Sequence, residues 1–207
     1  MDNQMKVALT VNRKTSYIAS VCVLAVSMQV VSCTSSDVHE GAANSSSQGT
    51  PPSADFANIP NQFPQPPTNT SAGQDAAPVG ACVNLSGKVP RANLSVVECG
   101  SPENNYKVIQ RVTMPNECIS DTDRRYYQND ANGGWTACLD LAWDKSTCLS
   151  ITTTLVRRVS CSDTTVPNRQ KPVKLITNTT TIEGCPRGGF VFDHPQRRFT
   201  VCAETQR

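Results

Sequence analysis

The chain has 207 residues, with 19 lysines and arginines against 17 acidic residues, a net charge of +2, and 5% aromatic residues. That near balance of charge names no strongly charged partner, and so few aromatics leave little material for a large core. Only two histidines are present, and the nearest pair of the 10 cysteines is Cys138 and Cys148, so the close ligand spacing of a zinc site is missing.

Residues 1–17 carry Lys6, Arg13 and Lys14, and no further lysine or arginine follows until Lys88. Residues 18–31 are mostly apolar. A basic start followed by a short apolar run reads as an export signal, since a bilayer span needs about 20 apolar residues. The run closes on Val30-Val31-Ser32-Cys33, a small residue and then a cysteine. This ending resembles a bacterial lipoprotein signal, with Val30 in place of the usual leucine. The signal then occupies residues 1–32, Cys22 leaves with it, and Cys33 becomes the lipidated first residue. An ordinary secretory signal with a nearby cysteine is the alternative. Several acyl chains, palmitate among them, hold a protein on a membrane where one chain does so only marginally, at about 0.8 kcal/mol per buried methylene.

Residues 33–79 are rich in Ser, Thr, Pro, Gly, Asn, Gln and Ala, with Ser45-Ser46-Ser47, Pro51-Pro52 and Pro66-Pro67. Such a composition buries too little apolar area to offset the entropy of ordering. A disordered tether is expected, about 40 Å from end to end by flexible-coil scaling. Its Ser, Thr and Pro suit O-glycosylation as well as they suit a bare spacer. Phe56 and Phe63 are isolated aromatics in it.

Eight cysteines remain beyond Gly80: Cys82, Cys99, Cys118, Cys138, Cys148, Cys161, Cys185 and Cys202. An even number in an exported chain implies a disulfide framework. They also mark an internal repeat, with a first unit at 80–142 and a second at 143–207. Cys82-Val83-Asn84-Leu85 matches Cys148-Leu149-Ser150-Ile151, and Val97-Glu98-Cys99 matches Val159-Ser160-Cys161. Tyr106-Lys107-Val108-Ile109 is aligned with Val173-Lys174-Leu175-Ile176. Cys118 matches Cys185, and Trp135-Thr136-Ala137-Cys138 matches Phe199-Thr200-Val201-Cys202. Units of about 60 residues are marginal on a core alone, and each bridge contributes about 3 kcal/mol in the loop-entropy model. Locality favours Cys82–Cys99, Cys118–Cys138, Cys148–Cys161 and Cys185–Cys202; pairing between the units is the rival.

Short β-rich runs are expected at 94–99, 106–113, 135–139, 148–154, 155–161, 173–178, 189–192 and 199–203. Turns fall at Pro102, Asn104-Asn105, Pro115-Asn116, Asn132-Gly133-Gly134, Pro167-Asn168 and Gly188-Gly189. Residues 118–129 read as a helix capped by Ser120 or Asp121. The matching span in the second unit contains Pro186 and two glycines, and reads as non-helical. The fold class expected is therefore α+β and β-dominated, two small tandem disulfide-stapled units after the tether.

The arrangement resembles the LppU-type lipoproteins of actinobacteria, which combine a lipobox, a Pro/Ser/Thr-rich tether and a small cysteine-patterned domain. The residues that carry the likeness are Cys82-Val83, Val97-Glu98-Cys99-Gly100-Ser101-Pro102, Tyr106-Lys107-Val108, Cys118, Tyr126-Tyr127 and Trp135-Thr136-Ala137-Cys138. The second half repeats the scheme at Cys148, Cys161, Lys174-Leu175, Cys185 and Cys202. A similarity to septum-formation-type domains is weaker, because Cys99 lacks the Pro-His that often follows there. The resemblance implies a cell-envelope location and transfers no activity to named residues.

Chemistry is sparse. His194, in Phe192-Asp193-His194-Pro195, is the sole histidine of the folded part and reads as an exposed turn residue; a small hydrolase centred on it is the catalytic alternative. Asp121 with Asp123, and Asp140 with Asp144, read as caps and solvated loop carboxylates. No Gly-x-Ser-x-Gly elbow or phosphate loop is present. Beyond Gly80 there are 16 basic and 12 acidic residues. Arg124-Arg125, Arg157-Arg158 and Arg197-Arg198 are three basic pairs suited to an anionic wall polymer, lipid head groups or an acidic envelope protein. Trp143 either fills the junction between the units or lines an apolar groove there. The expectation is a non-enzymatic binding or scaffolding module, lipid-anchored on the outer face of the cell membrane. It has no cofactor, metal or nucleic-acid partner. Carriage of a small apolar ligand is an alternative.

Overall fold

The computed structural model describes residues 54–131 and 133–207. The expected signal, Cys33, the tether up to residue 53, and Asn132 of the expected turn lie outside the described residues. Among the described residues no helix is long and apolar enough to cross a membrane.

Ten strands form two five-stranded antiparallel sheets. The first holds β1 (Cys82–Ser86), β2 (Asn93–Val96), β3 (Tyr106–Val112), β4 (Arg124–Asp130) and β5 (Gly133–Leu141). The second holds β6 (Cys148–Ile151), β7 (Val156–Val159), β8 (Arg169–Thr177), β9 (Phe190–His194) and β10 (Phe199–Gln206). Their orders are β2-β1-β3-β5-β4 and β7-β6-β8-β10-β9, one topology used twice. Disulfides join Cys82 to Cys99, Cys118 to Cys138, Cys148 to Cys161 and Cys185 to Cys202, all within a unit.

The duplication extends to an irregularity. Val108 pairs with Leu139 and Gln110 with Cys138, so Ile109 is an extra residue beside the β5 cysteine. Pro172 pairs with Ala203 and Lys174 with Cys202, which leaves Val173 as the extra residue in β8. A proline beside a bulge costs the ladder no regular hydrogen bond. This register corrects the alignment read from sequence. Lys107 corresponds to Lys171, not Lys174, so the repeat in this strand is displaced by three residues. Lys occurs twice in β8, at 171 and 174, and Lys174-Leu175 imitates Lys107-Val108 locally.

The expected helix at 118–129 is also corrected. Among the described residues only Pro115–Glu117 makes a helical turn, and Arg124–Asp130 is strand β4. Tyr126 and Tyr127 favour a pleated surface, and β4 lies in register along β5 from Arg124↔Leu139 to Asp130↔Gly133. Sheet pairing overrides the capping signal of Ser120 and Asp121. Among the described residues, the α+β label gives way to two antiparallel sheets with almost no helix.

Alternation in the strands places equivalent residues in one core. Trp135, Ala137, Leu139 and Leu141 of β5 share it with Phe199, Val201 and Ala203 of β10. Ile109, Val112, Cys118 and Cys138 form a smaller second cluster. Residues 54–79, expected to be part of the tether, are irregular but packed. Phe56, Ile59 and Ala77 join the main core. The backbone of residues 67–69 pairs along the open edge of β3, where Arg111 N–H donates to Pro67 O and Asn69 N–H to Arg111 O. Composition misled because three small apolar anchors suffice when a sheet edge supplies the hydrogen bonds. Phe63 remains exposed.

Gly73 shows how close this coat lies. Its φ is +73°, and a Cβ there would stand 2.2 Å from the Trp135 indole. We expect Gly73→Ala to lower the unfolding free energy by about 1–3 kcal/mol, from strain and overpacking together. Urea unfolding of the oxidised protein measures it.

Candidate functional site

Two places at the junction of the units collect chemistry. The first is polar. The β9–β10 turn carries Arg197 into a pocket of carboxylates from the first unit. Its Nε donates to Asp121 Oδ1 at 2.9 Å, Nη1 to Asp140 Oδ2 at 2.5 Å and to Gln62 O at 2.9 Å, and Nη2 to Asp140 Oδ1 at 3.0 Å and Asp121 O at 2.9 Å. Asp121 Oδ2 accepts the backbone N–H groups of Gln196 and Arg197. All five guanidinium protons are thus used.

His194 sits beside this ion pair with 1% of its surface exposed. Its ring stacks on Phe199, directly opposite in the sheet, with centroids 4.2 Å apart. Nε2 is 3.4 Å from Asp123 Oδ1, and neither ring nitrogen makes a hydrogen bond to a described residue. Burial works to lower its pKa, but the Asp123 and Asp140 carboxylates outweigh it and raise the value. Burial likewise opposes ionisation of Asp123, yet His194 and the Leu141 N–H bring its pKa below the ordinary value. At Asp140 burial prevails and the carboxyl is raised, while the same pairing holds the Arg197 proton more tightly.

Three expectations are corrected here. His194 is buried, because β9 pairs it against Phe199. Asp121, Asp123 and Asp140 are partners of buried cations, neither caps nor solvated loops. Arg197 belongs to no surface patch. Asp123, Asp140 and His194 bring one ligand atom each within 4.8 Å of one another. Both oxygens of Asp140 face Arg197, however, so a metal ion would have to displace the guanidinium.

Arg158, on β7, is the counterpart of this staple elsewhere along the junction. Its Nε donates to Asn104 O at 2.8 Å, and Nη2 to Ala142 O. Asn105 Nδ2 donates to Leu85 O at 2.9 Å and across the junction to Val156 O at 3.0 Å. Trp143 fills the space nearby, 6% exposed and packed on Phe192 with ring centroids 4.8 Å apart. The basic pairs therefore do not form one patch. Arg157 and Arg198 are exposed, Arg125 is half-buried and donates to Ile119 O, and Arg158 and Arg197 are structural.

The second place is a cleft of about 260 Å³ between equivalent hairpins of the two units. Leu85, Gly87, Lys88, Val89 and Ala92 line it from the β1–β2 hairpin, with Tyr106 and Arg124 at its side and Thr154, Leu155 and Val156 opposite. The β1–β2 loop, residues 87–92, is longer than its β6–β7 equivalent, residues 152–155. Gly87 lets it turn back tightly: its φ is +74°, and a Cβ would meet Arg91 O at 2.3 Å. Tyr106 is buried, which raises the pKa of its hydroxyl and keeps it protonated despite Arg124. Arg124 Nε donates to that hydroxyl at 3.4 Å. A hollow of about 420 Å³ at 68–74 is open and polar, and its Arg111 guanidinium already donates to Ala77 O and Thr70 O.

Sequence reasoning singled out Arg124 but placed an apolar groove at Trp143; the cleft lies instead between hairpins about 60 residues apart in the chain. The repeat held the only available signal: the hairpin after Cys82 is longer than the one after Cys148. No family model, curated protein or solved structure matches this chain.

Arg197→Lys keeps the charge but loses the planar five-donor fork, and breaking a buried pair costs about 3–5 kcal/mol. We expect a loss of that order in chemical denaturation. The histidine adds a pH dependence. Its folded pKa lies above the unfolded value of about 6.5, so its stabilisation is complete below that pH and is lost as pH rises through the folded value. Stability measured from about pH 5 upward will fall over this window. His194→Gln will flatten that slope.

Proposed function

We propose that this chain is an exported, lipid-anchored cell-envelope protein of the LppU type, whose double-sheet domain is a non-catalytic binding module. The observation that carries the binding role is the inter-hairpin cleft, a concave apolar surface bordered by a few convergent polar groups. The groups that a catalyst would use are engaged elsewhere. His194 is enclosed, Asp140 serves Arg197, Asp123 accepts the Leu141 N–H, and no hydroxyl or thiol of a described residue is hydrogen-bonded to the imidazole. This weighs against the hydrolase reading. A carrier groove lined by Trp143 is not supported, since Trp143 is packed on Phe192 and the cleft of about 260 Å³ lies elsewhere and below the roughly 300 Å³ of a usual ligand pocket; a smaller ligand still fits it.

The anchor rests on the sequence at Cys33, with four disulfides in keeping with an oxidising compartment. Cys33→Ala is expected to abolish incorporation of a labelled acyl chain and to shift the protein out of the membrane fraction, with its disulfides intact. Intact-mass measurement of the membrane-extracted protein checks it. A mature chain that still begins at Met1, with reduced cysteines, overturns the proposal.

A further inference from the structure

We infer that the cleft binds a small anionic amphiphile of about nine non-hydrogen atoms within the cleft, an apolar body carrying one carboxylate or phosphate head. This inference rests on the cleft being the binding site and adds the ligand's chemistry. The size follows from the volume of about 260 Å³, taken against the ~30 Å³ that one water occupies in the liquid. The apolar body follows from the walls, since Leu85, Val89, Ala92, Leu155 and Val156 are aliphatic and Val89 is 45% exposed.

The sign of the head follows from the charges. The cleft is lined by Lys88 and Arg124 and by no carboxylate. The Lys88 ammonium and both Nη groups of Arg124 make no hydrogen bond or ion pair with a described residue. Arg197, by contrast, is saturated by protein acceptors, and every nitrogen of Arg158 donates to one. Tyr106 uses its oxygen to accept from Arg124 and has its own O–H to donate, because burial keeps the hydroxyl protonated. A planar guanidinium with a free edge, beside a hydroxyl donor and a lysine, suits a carboxylate or phosphate.

The test uses the full chain carrying Cys33→Ser, with its four disulfides formed, and three probes: octanoate, octyl phosphate and neutral 1-octanol. Methyl-resolved NMR is expected to show octanoate and octyl phosphate perturbing Leu85, Val89, Ala92, Leu155 and Val156, with at least tenfold weaker binding of octanol. The ratio of the two anions identifies the head group. Arg124→Gln should weaken the anions about tenfold and leave octanol unchanged. Lys88→Gln, on an exposed loop, should weaken them several-fold without affecting the thermal midpoint, and so covers the case in which the Arg124 variant misfolds. Ala92→Phe should exclude all three. Equal affinity for octanol and octanoate at the cleft overturns the anionic class and leaves the cleft as the binding site. Perturbations outside the cleft, or none with any probe, overturn both.

Discussion

An antiparallel sheet of five short strands cannot leave its apolar face in water, and this chain has two such faces of the same design. Each unit is too small to bury its face alone. Bringing Trp135, Ala137, Leu139 and Leu141 into one core with Phe199, Val201 and Ala203 solves both problems together. The remaining features follow from that apposition: the cations that close its margins and the cleft left between two hairpins. The disulfides act inside each unit, tying loops to strands, and none of them joins the two units.

Polar closure of such a junction requires that buried cations find acceptors, since an unpaired buried charge costs several kcal/mol. Arginine meets the demand at two positions. Arg197 reaches from the second unit into Asp121 and Asp140 of the first, and Gln62 of the coat shares Asp140. Arg158 reaches from the second unit to the Asn104 and Ala142 carbonyls. The planar fork serves several acceptors at once, which a lysine ammonium on a flexible stem does less well. His194 adds a charge that depends on pH to the first of these staples.

Much of the architecture was legible. Period-two runs and cysteine spacing marked eight of the ten strands, the duplication and a favoured bridge pattern. β4 was missed because Asp121, Asp123 and the arginines around them imitate a helix start, while the aromatic pair that follows is decided by its neighbour β5. The packed coat at 54–79 was missed because its anchors are few and its hydrogen bonds lie on another strand's edge. The register of β8 was misread by three residues, since Gln170-Lys171-Pro172-Val173 hides the bulge that aligns it with Tyr106-Lys107-Val108-Ile109.

Local composition and spacing, read from the chain alone, were enough for a twofold β-rich repeat stapled by cysteines, because alternation and loop length are properties of neighbours in sequence. Which arginines are buried and which are available was decided only by the tertiary structure. Arg124, Arg158 and Arg197 stand in similar doublets, and charge on a chain carries no record of which carboxylate or carbonyl will be folded against it. The same holds for His194, a turn histidine by sequence, whose surroundings come from Asp123 and Asp140 of the other unit.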